Sequence, residues 1–488
     1  MALTGAFVRA ALLEQTERTR HCSKADIEQF IEESELKILA LESQINALME
    51  LRDSQRACVL ALKHIVSPIR TLPVELLVEI FELAIEDRTH IDDVHRISQV
   101  CSDWRQAAHG TPRLWTRTLR VKLCKGDEVD GLKAWLARSA PLPIRISFPP
   151  ESGDIDVNIL VEVLRVATRW RSLKLGCTLP RWLVRQLSKC RLNSLEDLDL
   201  EIIHDNETNS IPISFTTVPR LRKLIINLID FPAAPQPLVP WVQLTDLTIS
   251  NRDHDVIFGI LAQCANLIAA SVTTGGRQLP QVRRDIVILS QLHTLSLLFE
   301  CRYSVARHIT PFFDNLSTPV LRSLCVKFDD RAQWTQAHFT AFQLRAQCNI
   351  TQLEFARTNW YIARDPLLTS DDLGAIIRYA PSLTHLKLTG CGNAFDDAFI
   401  RTLYANYKDG VAPLVPHLHN LVLGSRSRTF SDDILAGMIA SRWWTDTQLV
   451  PPTVARWTHV KLDIGRNYWS TQFVDILKDI PSDVLVLS

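Results

Sequence analysis

Apolar residues recur along this chain in three different rhythms, and each rhythm predicts a different kind of element. From about residue 24 to 66 there is no Gly or Pro, and Ile31, Ile38 and Ile45 fall seven apart. Ile27, Leu41 and Leu48 occupy the companion positions, with Ser34 as the exception. This spacing draws one apolar stripe along a long helix, flanked by Glu28, Glu35 and Glu42. The stripe falters at Arg52 and Gln55 and returns at Val59 and Leu62. Two uses of it stay open: packing on its own chain, or self-association through residues 27–48.

The second rhythm runs from Pro68 to Trp115. Pro68 ends the preceding helix, because proline lacks a donor and clashes with the turn before it. Pro73 suits the first turn of the next helix, where a missing N–H costs nothing. Glu75 then sits where the helix dipole favours an acid. Leu76, Leu77, Ile80, Phe81 and Ala84 give that helix an apolar face. A polar break follows at Glu86-Asp87-Arg88-Thr89-His90. Val94, Ile97, Val100, Cys101 and Trp104 make a second apolar helical face, and Thr111-Pro112-Arg113-Leu114-Trp115 closes the segment.

The third rhythm is a repeat of the form Leu-x-x-Leu-x-Leu, from about Leu142 to the end. Clear copies are centred on Leu198, Leu224, Leu247, Leu295, Leu324, Leu386 and Leu421. Weaker ones are centred on Leu173, Ala270, Leu353 and Val460. The step between centres grows from 23–26 residues early to 39 at the last. Helices are expected between copies at Val256–Cys264, Thr335–Cys348 and Tyr468–Ile480, and after Ser370-Asp371-Asp372 and Ser431-Asp432-Asp433, with each serine as the cap. A unit of one strand and one helix cannot bury its leucines alone, so stacking of units is the expected solution.

Two resemblances follow from these residues. Leu72-Pro73-Val74-Glu75-Leu76-Leu77-Val78-Glu79-Ile80-Phe81, then Val100-Cys101-Ser102-Asp103-Trp104-Arg105, then Pro112-Arg113-Leu114-Trp115, resemble an F-box. The family pattern is Leu-Pro-x-Glu-Leu-Leu-x-x-Ile-Phe, then Val-Cys-x-x-Trp-Arg, then Leu-Trp. The chain departs from it at Asp92-Asp93-Val94, where an Asp-Leu step is usual. The repeats resemble an irregular leucine-rich-repeat array. Only Leu383-x-x-Leu386-x-Leu388-x-x-Cys391 reaches that family's Asn/Cys position. Together they resemble a fungal-type F-box protein with a leucine-rich-repeat-like C-terminal region. The resemblance implies docking of the F-box on the Skp-family adaptor of a cullin-based (SCF-type) ubiquitin ligase. The positions that carry it over are Leu72, Pro73, Leu76, Ile80, Phe81, Val100, Cys101 and Trp104.

Composition narrows the alternatives. The 488 residues carry 54 basic and 54 acidic side chains, so whole-surface attraction to nucleic acid or to an acidic membrane is not expected. No stretch of about 18 residues is apolar and charge-free enough to span a bilayer. Arg9 interrupts the apolar start, which makes a poor signal peptide. The eleven cysteines include no Cys-x-x-Cys pair, so a zinc ribbon has no support, and an odd number of scattered thiols suits an intracellular protein, cytoplasmic or nuclear.

Candidate chemistry is sparse. There is no phosphate loop, no Gly-x-Gly-x-x-Gly, no His-Glu-x-x-His and no Gly-x-Ser-x-Gly. His417 and His419 permit metal binding if both face one side of a strand, but no third ligand is near in sequence. Asp371-Asp372, Asp396-Asp397 and Asp432-Asp433 lie at helix starts, where acids have a structural reason to be. Cys391 sits at a repeat turn and is expected to pack rather than attack. The chain therefore reads as having no catalytic residue, no cofactor and no metal.

The expected architecture is α/β. A long N-terminal helix (24–66) is followed by a small all-α F-box (68–115), a linker (116–140) and a leucine-rich-repeat-like solenoid (141–488). On the concave sheet, residues between the leucines offer Asp197, Asp199 and Glu201 early, and His385, Lys387, His459 and Lys461 late, a face running from acidic to basic. The functional reading is a non-catalytic substrate-receptor subunit of a ubiquitin ligase, whose solenoid binds a protein substrate. The alternative is a non-catalytic scaffold that self-associates through the N-terminal helix.

Overall fold

The computed structural model describes residues 5–18, 24–86, 90–123, 129–149, 155–176, 181–200, 214–228, 238–275, 285–300, 307–329, 332–358, 368–391, 394–404, 413–425, 429–443, 454–464 and 469–487. Within these the protein is mixed α/β, with a long N-terminal helix and a large parallel sheet. The chain divides into two compact units, residues 1–86 with 99–107, and residues 87–98 with 108–488. No single helix among the described residues is long and apolar enough to cross a membrane.

The first unit holds α1 (Gly5–Arg18), α2 (Lys24–Ile65) and α3 (Val74–Ala84). Pro68 opens a short 3-10 turn to Thr71, and Pro73 stands at the cap of α3 in extended conformation. The prolines thus separate two helices that propensity alone would join. Two further helices follow, α4 (His90–Val100) and α5 (Ser102–His109).

The second unit is built on one sheet of 14 parallel strands, each beside its predecessor in chain order, from Thr118–Arg120 to Leu485–Leu487. One register row runs through every strand, and the pairing shifts between Ile144 and Arg145 at the edge of the second strand. Leu119, Ile146, Leu173, Leu198, Leu224, Leu247, Ala270, Leu295, Leu324, Leu353, Leu386, Leu421, Val460 and Leu485 form one ladder across all the strands. The eleven expected repeat centres occupy this ladder. Leu119 and Ile146 extend it on one side and Leu485 on the other. From Leu119 to Val460 these residues are buried, and so are the leading residues of the copies, such as Trp170, Leu195, Leu292, Leu418 and Trp457.

Segment 116–140, expected as a linker, instead carries the first strand and α6 (Val129–Arg138). Trp115 is the reason. Its indole donates to the Ala108 carbonyl at 2.8 Å and lies 4.8 Å from the Trp135 ring, with the Arg138 guanidinium 4.7 Å from its centre. The chain after the motif is held in the sheet unit from its first residues.

Helices between strands occur where expected, at His254–Leu261, Gln336–Ala346, Ser370–Arg378, Asp432–Ser441 and Thr471–Leu477. Two caps differ from expectation. Thr369, one residue before Ser370, closes a reciprocal capping box with Asp372. Ser431 makes no side-chain cap bond. Its hydroxyl and N–H instead donate to Asp397 at 2.7 and 2.6 Å. One longer unit has a 3-10 segment, Thr310–Asn315, in place of an α-helix. There the extra length is filled by rings: Phe312 and Phe313 pack among Phe258, Phe299, Phe339 and Phe342.

Backbone carbonyls at the unit boundaries are satisfied by long side chains from the next unit. Arg169 donates to the carbonyls of Leu136 and Leu142, and Gln243 to those of Val218 and Leu221. Arg345 donates to Phe313 and Leu316. Arg442, fully buried, donates to Leu403, Val415 and Leu418, all at 3.0 Å, and lies against Trp457. A buried guanidinium is tolerable only with such a set of acceptors. Arg442→Ala is therefore expected to cost about 3–5 kcal/mol in denaturant unfolding, because three acceptors lose their donor and a cavity opens. Lys387→Ala, which breaks an ion pair of a half-exposed lysine at 2.9 Å from Glu354, is expected to cost less than about 1 kcal/mol in the same measurement.

Candidate binding surfaces

Helix α3 carries apolar residues on two faces. Leu77, Val78 and Phe81 are buried, as is Ile85 at the helix end, and Phe81 is 1% exposed. The Phe81 ring lies 4.8 Å from the Trp104 ring. Leu76, Ile80 and Leu83, at steps of four and three, form a separate face. Their exposures are 54%, 41% and 87%. Val100, the last residue of α4, is also exposed.

The eight motif positions therefore do not form one surface set. Phe81 belongs to the unit's own core. Leu72, Cys101 and Trp104 are half-buried. Pro73, Leu76, Ile80 and Val100 face solvent. Leu83 lies off the expected face through Leu77, Phe81 and Ala84. The signal that finds it is the spacing from Leu76.

On the sheet, side chains alternate between the leucine core and the open face, as the period of two requires. Asp197, Asp199, His385, Lys387, His459 and Lys461 all lie on the open face, whereas Glu201 lies outside the described residues. The expected run from acidic to basic does not appear in this form. Asp199 pairs with Lys174 at 3.0 Å, Glu196 pairs with Arg171 at 2.8 Å, and Asp197 stands in register with Lys223. Signs alternate from strand to strand there, and the acids are offset by cations on neighbouring strands. The central strands present small side chains in one ladder, Thr248, Ser271, Ser296 and Cys325.

The late end is rich in histidine. His385, Asn420 and His459 share one ladder, and Lys387, Val422 and Lys461 the next. The His385 and His419 rings are 5.0 Å apart. His385 Nδ1 lies 2.8 Å from the Thr384 hydroxyl, and His419 Nδ1 lies 2.9 Å from that of Thr458. Burial first, then the neighbouring His385, hold the His419 imidazole below its usual range.

The candidates for chemistry resolve into structure. Asp372 caps its own helix. Asp396 accepts from the Phe399 N–H, and Asp397 accepts from Ser431. Asp432 accepts the Ser470 N–H at 3.0 Å. The first-turn acids of two successive helices thus tie each helix to the start of the next. Gly390, at φ 70°, turns the chain so that Cys391 points its thiol toward the Phe355 carbonyl. Burial pushes that thiol up to about 12, against the opposite pull of Arg357, so it stays protonated. His417 precedes its strand and is exposed. No group of three or more potential metal ligands occurs among the described residues.

Comparison with known proteins places a family on one part of the chain. No curated protein matches it. Among solved structures, the crystal structure of a TLR13–ssRNA13 complex is 11% identical with a TM-score of 0.32. The match covers 67% of this chain and 46% of that one, so this chain spans less than half of that protein's length. Residues 69–120 match the F-box-like family model, which takes in α3, α4, α5 and Trp115.

Proposed function

We propose that this protein is the substrate-receptor subunit of an SCF-type cullin ubiquitin ligase. The observation that carries the reading is the division of α3. Its motif residues Leu77 and Phe81 complete the fold, while Leu76, Ile80 and Leu83 leave an apolar stripe in water. Exposed apolar residues clustered on one helix mark a docking surface, and a Skp-family adaptor is the partner implied by the F-box-like match at 69–120. Cys101 and Trp104, half-buried, are the second part of that surface, with Leu72, Pro73 and Val100.

In this reading residues 118–487 are an irregular leucine-rich-repeat solenoid, and its open sheet face holds a protein substrate. Support comes from the chain-order succession of the strands and from the leucine ladder that runs through them. The late end, with His385, Lys387, His459 and Lys461, is the part of that face suited to an acidic segment of a substrate. Such a subunit raises the effective concentration of the substrate beside the transfer machinery and is not itself an enzyme. A second reading, a non-catalytic scaffold, is favoured by the exposed stripe of α2, and adaptor binding separates the two.

The test is a pull-down of the full chain by purified Skp-family adaptor. Wild type is expected to bind, and Leu76→Asp/Ile80→Asp to lose binding at least about tenfold while keeping its circular dichroism spectrum and melting temperature. Phe81→Ala is expected to lose about 3–5 kcal/mol of stability instead. No binding by wild type, or unaltered binding by the double variant, would sink the ligase reading. Lys387→Glu/Lys461→Glu is expected to leave adaptor binding unchanged, which assigns the sheet face a separate role.

A further inference from the structure

Helix α2 runs 42 residues, roughly 60 Å at 1.5 Å per residue, and its stripe faces water. Ile31, Ile38, Leu41, Ile45, Leu48, Val59 and Leu62 are all about half exposed. Their repeat is seven residues, which follows a second helix wound around α2 better than a straight globular surface. The β-branched residues share one heptad position, Ile31, Ile38, Ile45 and Val59. Leucines take the companion position, at Leu41, Leu48 and Leu62.

Charge decides the direction of the second strand. One flank of the stripe carries, at intervals of seven, Glu28, Glu35, Glu42, Met49, Arg56 and Lys63. It is acidic at one end and basic at the other. In a parallel pair this flank meets the opposite flank, Lys37, Gln44, Leu51 and Cys58, where Lys37 with Glu42 is the one pair of opposite charges. In an antiparallel pair it meets itself reversed, so Glu28 faces Lys63 of the second copy and Glu35 faces Arg56.

The seam agrees. A parallel pair stacks Arg52 on Arg52, Gln55 on Gln55 and Ser34 on Ser34. The antiparallel pair sets each against an apolar residue instead: Arg52 against Leu41, Gln55 against Ile38, and Ser34 against Val59. Ile31 then meets Leu62, and Ile45 meets Leu48. Arg52 already turns its guanidinium to Asp53 at 2.8 Å, and Arg56 lies 3.9 Å from the same carboxylate. The arginine can therefore keep its charged end in water while its stem covers the partner's leucine.

We propose that α2 pairs with α2 of a second copy of this chain as an antiparallel two-stranded coil centred between Ile45 and Leu48. This gives a direction and a register to the self-association of the scaffold reading and stands whether or not the adaptor binds. The test is sedimentation equilibrium of the full chain at low salt and at 0.5 M salt. Wild type is expected to be a dimer. Glu28→Lys/Glu35→Lys and Arg56→Glu/Lys63→Glu are each expected to weaken it by at least about tenfold, since attraction becomes repulsion at four sites. An equimolar mixture of the two variants is expected to recover a dimer, and 0.5 M salt to narrow these differences. A monomeric wild type overturns self-association itself. A dimer that both charge variants leave unchanged overturns the antiparallel arrangement and keeps self-association.

Discussion

A strand with leucines on one face and polar residues on the other is unstable until both of its neighbours supply the rest of a core. That constraint governs the sheet unit. Each strand adds one rung to a single ladder, and each rung needs the rungs on either side to exclude water. The leading Leu, Ile or Trp of each copy adds to the same core, and in many units a helix or 3-10 segment contributes further buried side chains. Once leucines are so placed, the carbonyls at the unit boundaries become the expensive groups. Arg169, Gln243, Arg345 and Arg442 answer that need, each reaching back to the preceding unit. Hydrophobic stacking fixes the spacing, and these donors make it specific.

The same economy of one element with two faces appears in α3. On this 11-residue helix Leu77, Val78 and Phe81 are buried, while Leu76, about 100° round from Leu77, is exposed. Phe81 and Trp104 settle which side is core by packing on each other. What remains outside, Leu76, Ile80 and Leu83, is apolar yet largely open to solvent. Neighbouring positions in the chain thus differ sharply in how much they add to the fold.

Much of this was legible in the residues themselves. Heptads at Ile31, Ile38 and Ile45, prolines at 68 and 73, and eleven leucine-rich copies located the long helix, the motif and the strands. For the strands, periodicity works because burial on one face is the dominant energy. It failed where side-chain partners decide. Trp115 holds the segment after the motif through an indole hydrogen bond to Ala108 and contacts with Trp135 and Arg138, which no local pattern announces. Asp197 and Asp199 read as an acidic surface until the register set cations beside them. Thr369 rather than Ser370 caps its helix because Asp372 can reach its N–H, a choice between two adjacent hydroxyls that spacing alone leaves open. The separation of Phe81 from Leu76 likewise needed Trp104 in place.

The ordered succession of strands also sets how the sheet unit comes together in time. Successive repeat centres are separated by 23 to 39 residues in a chain of 488, so every ladder contact is local on the scale of the whole. The lengthening of late units adds little to the cost of closing each loop, roughly 0.5 kcal/mol between the shortest and the longest. Formation can therefore begin at several adjacent pairs and spread outward, rather than wait for distant segments to meet. The rings around Phe312 and Phe313, drawn from Phe258, Phe299, Phe339 and Phe342, offer one set of neighbouring-unit contacts for that spread to start from.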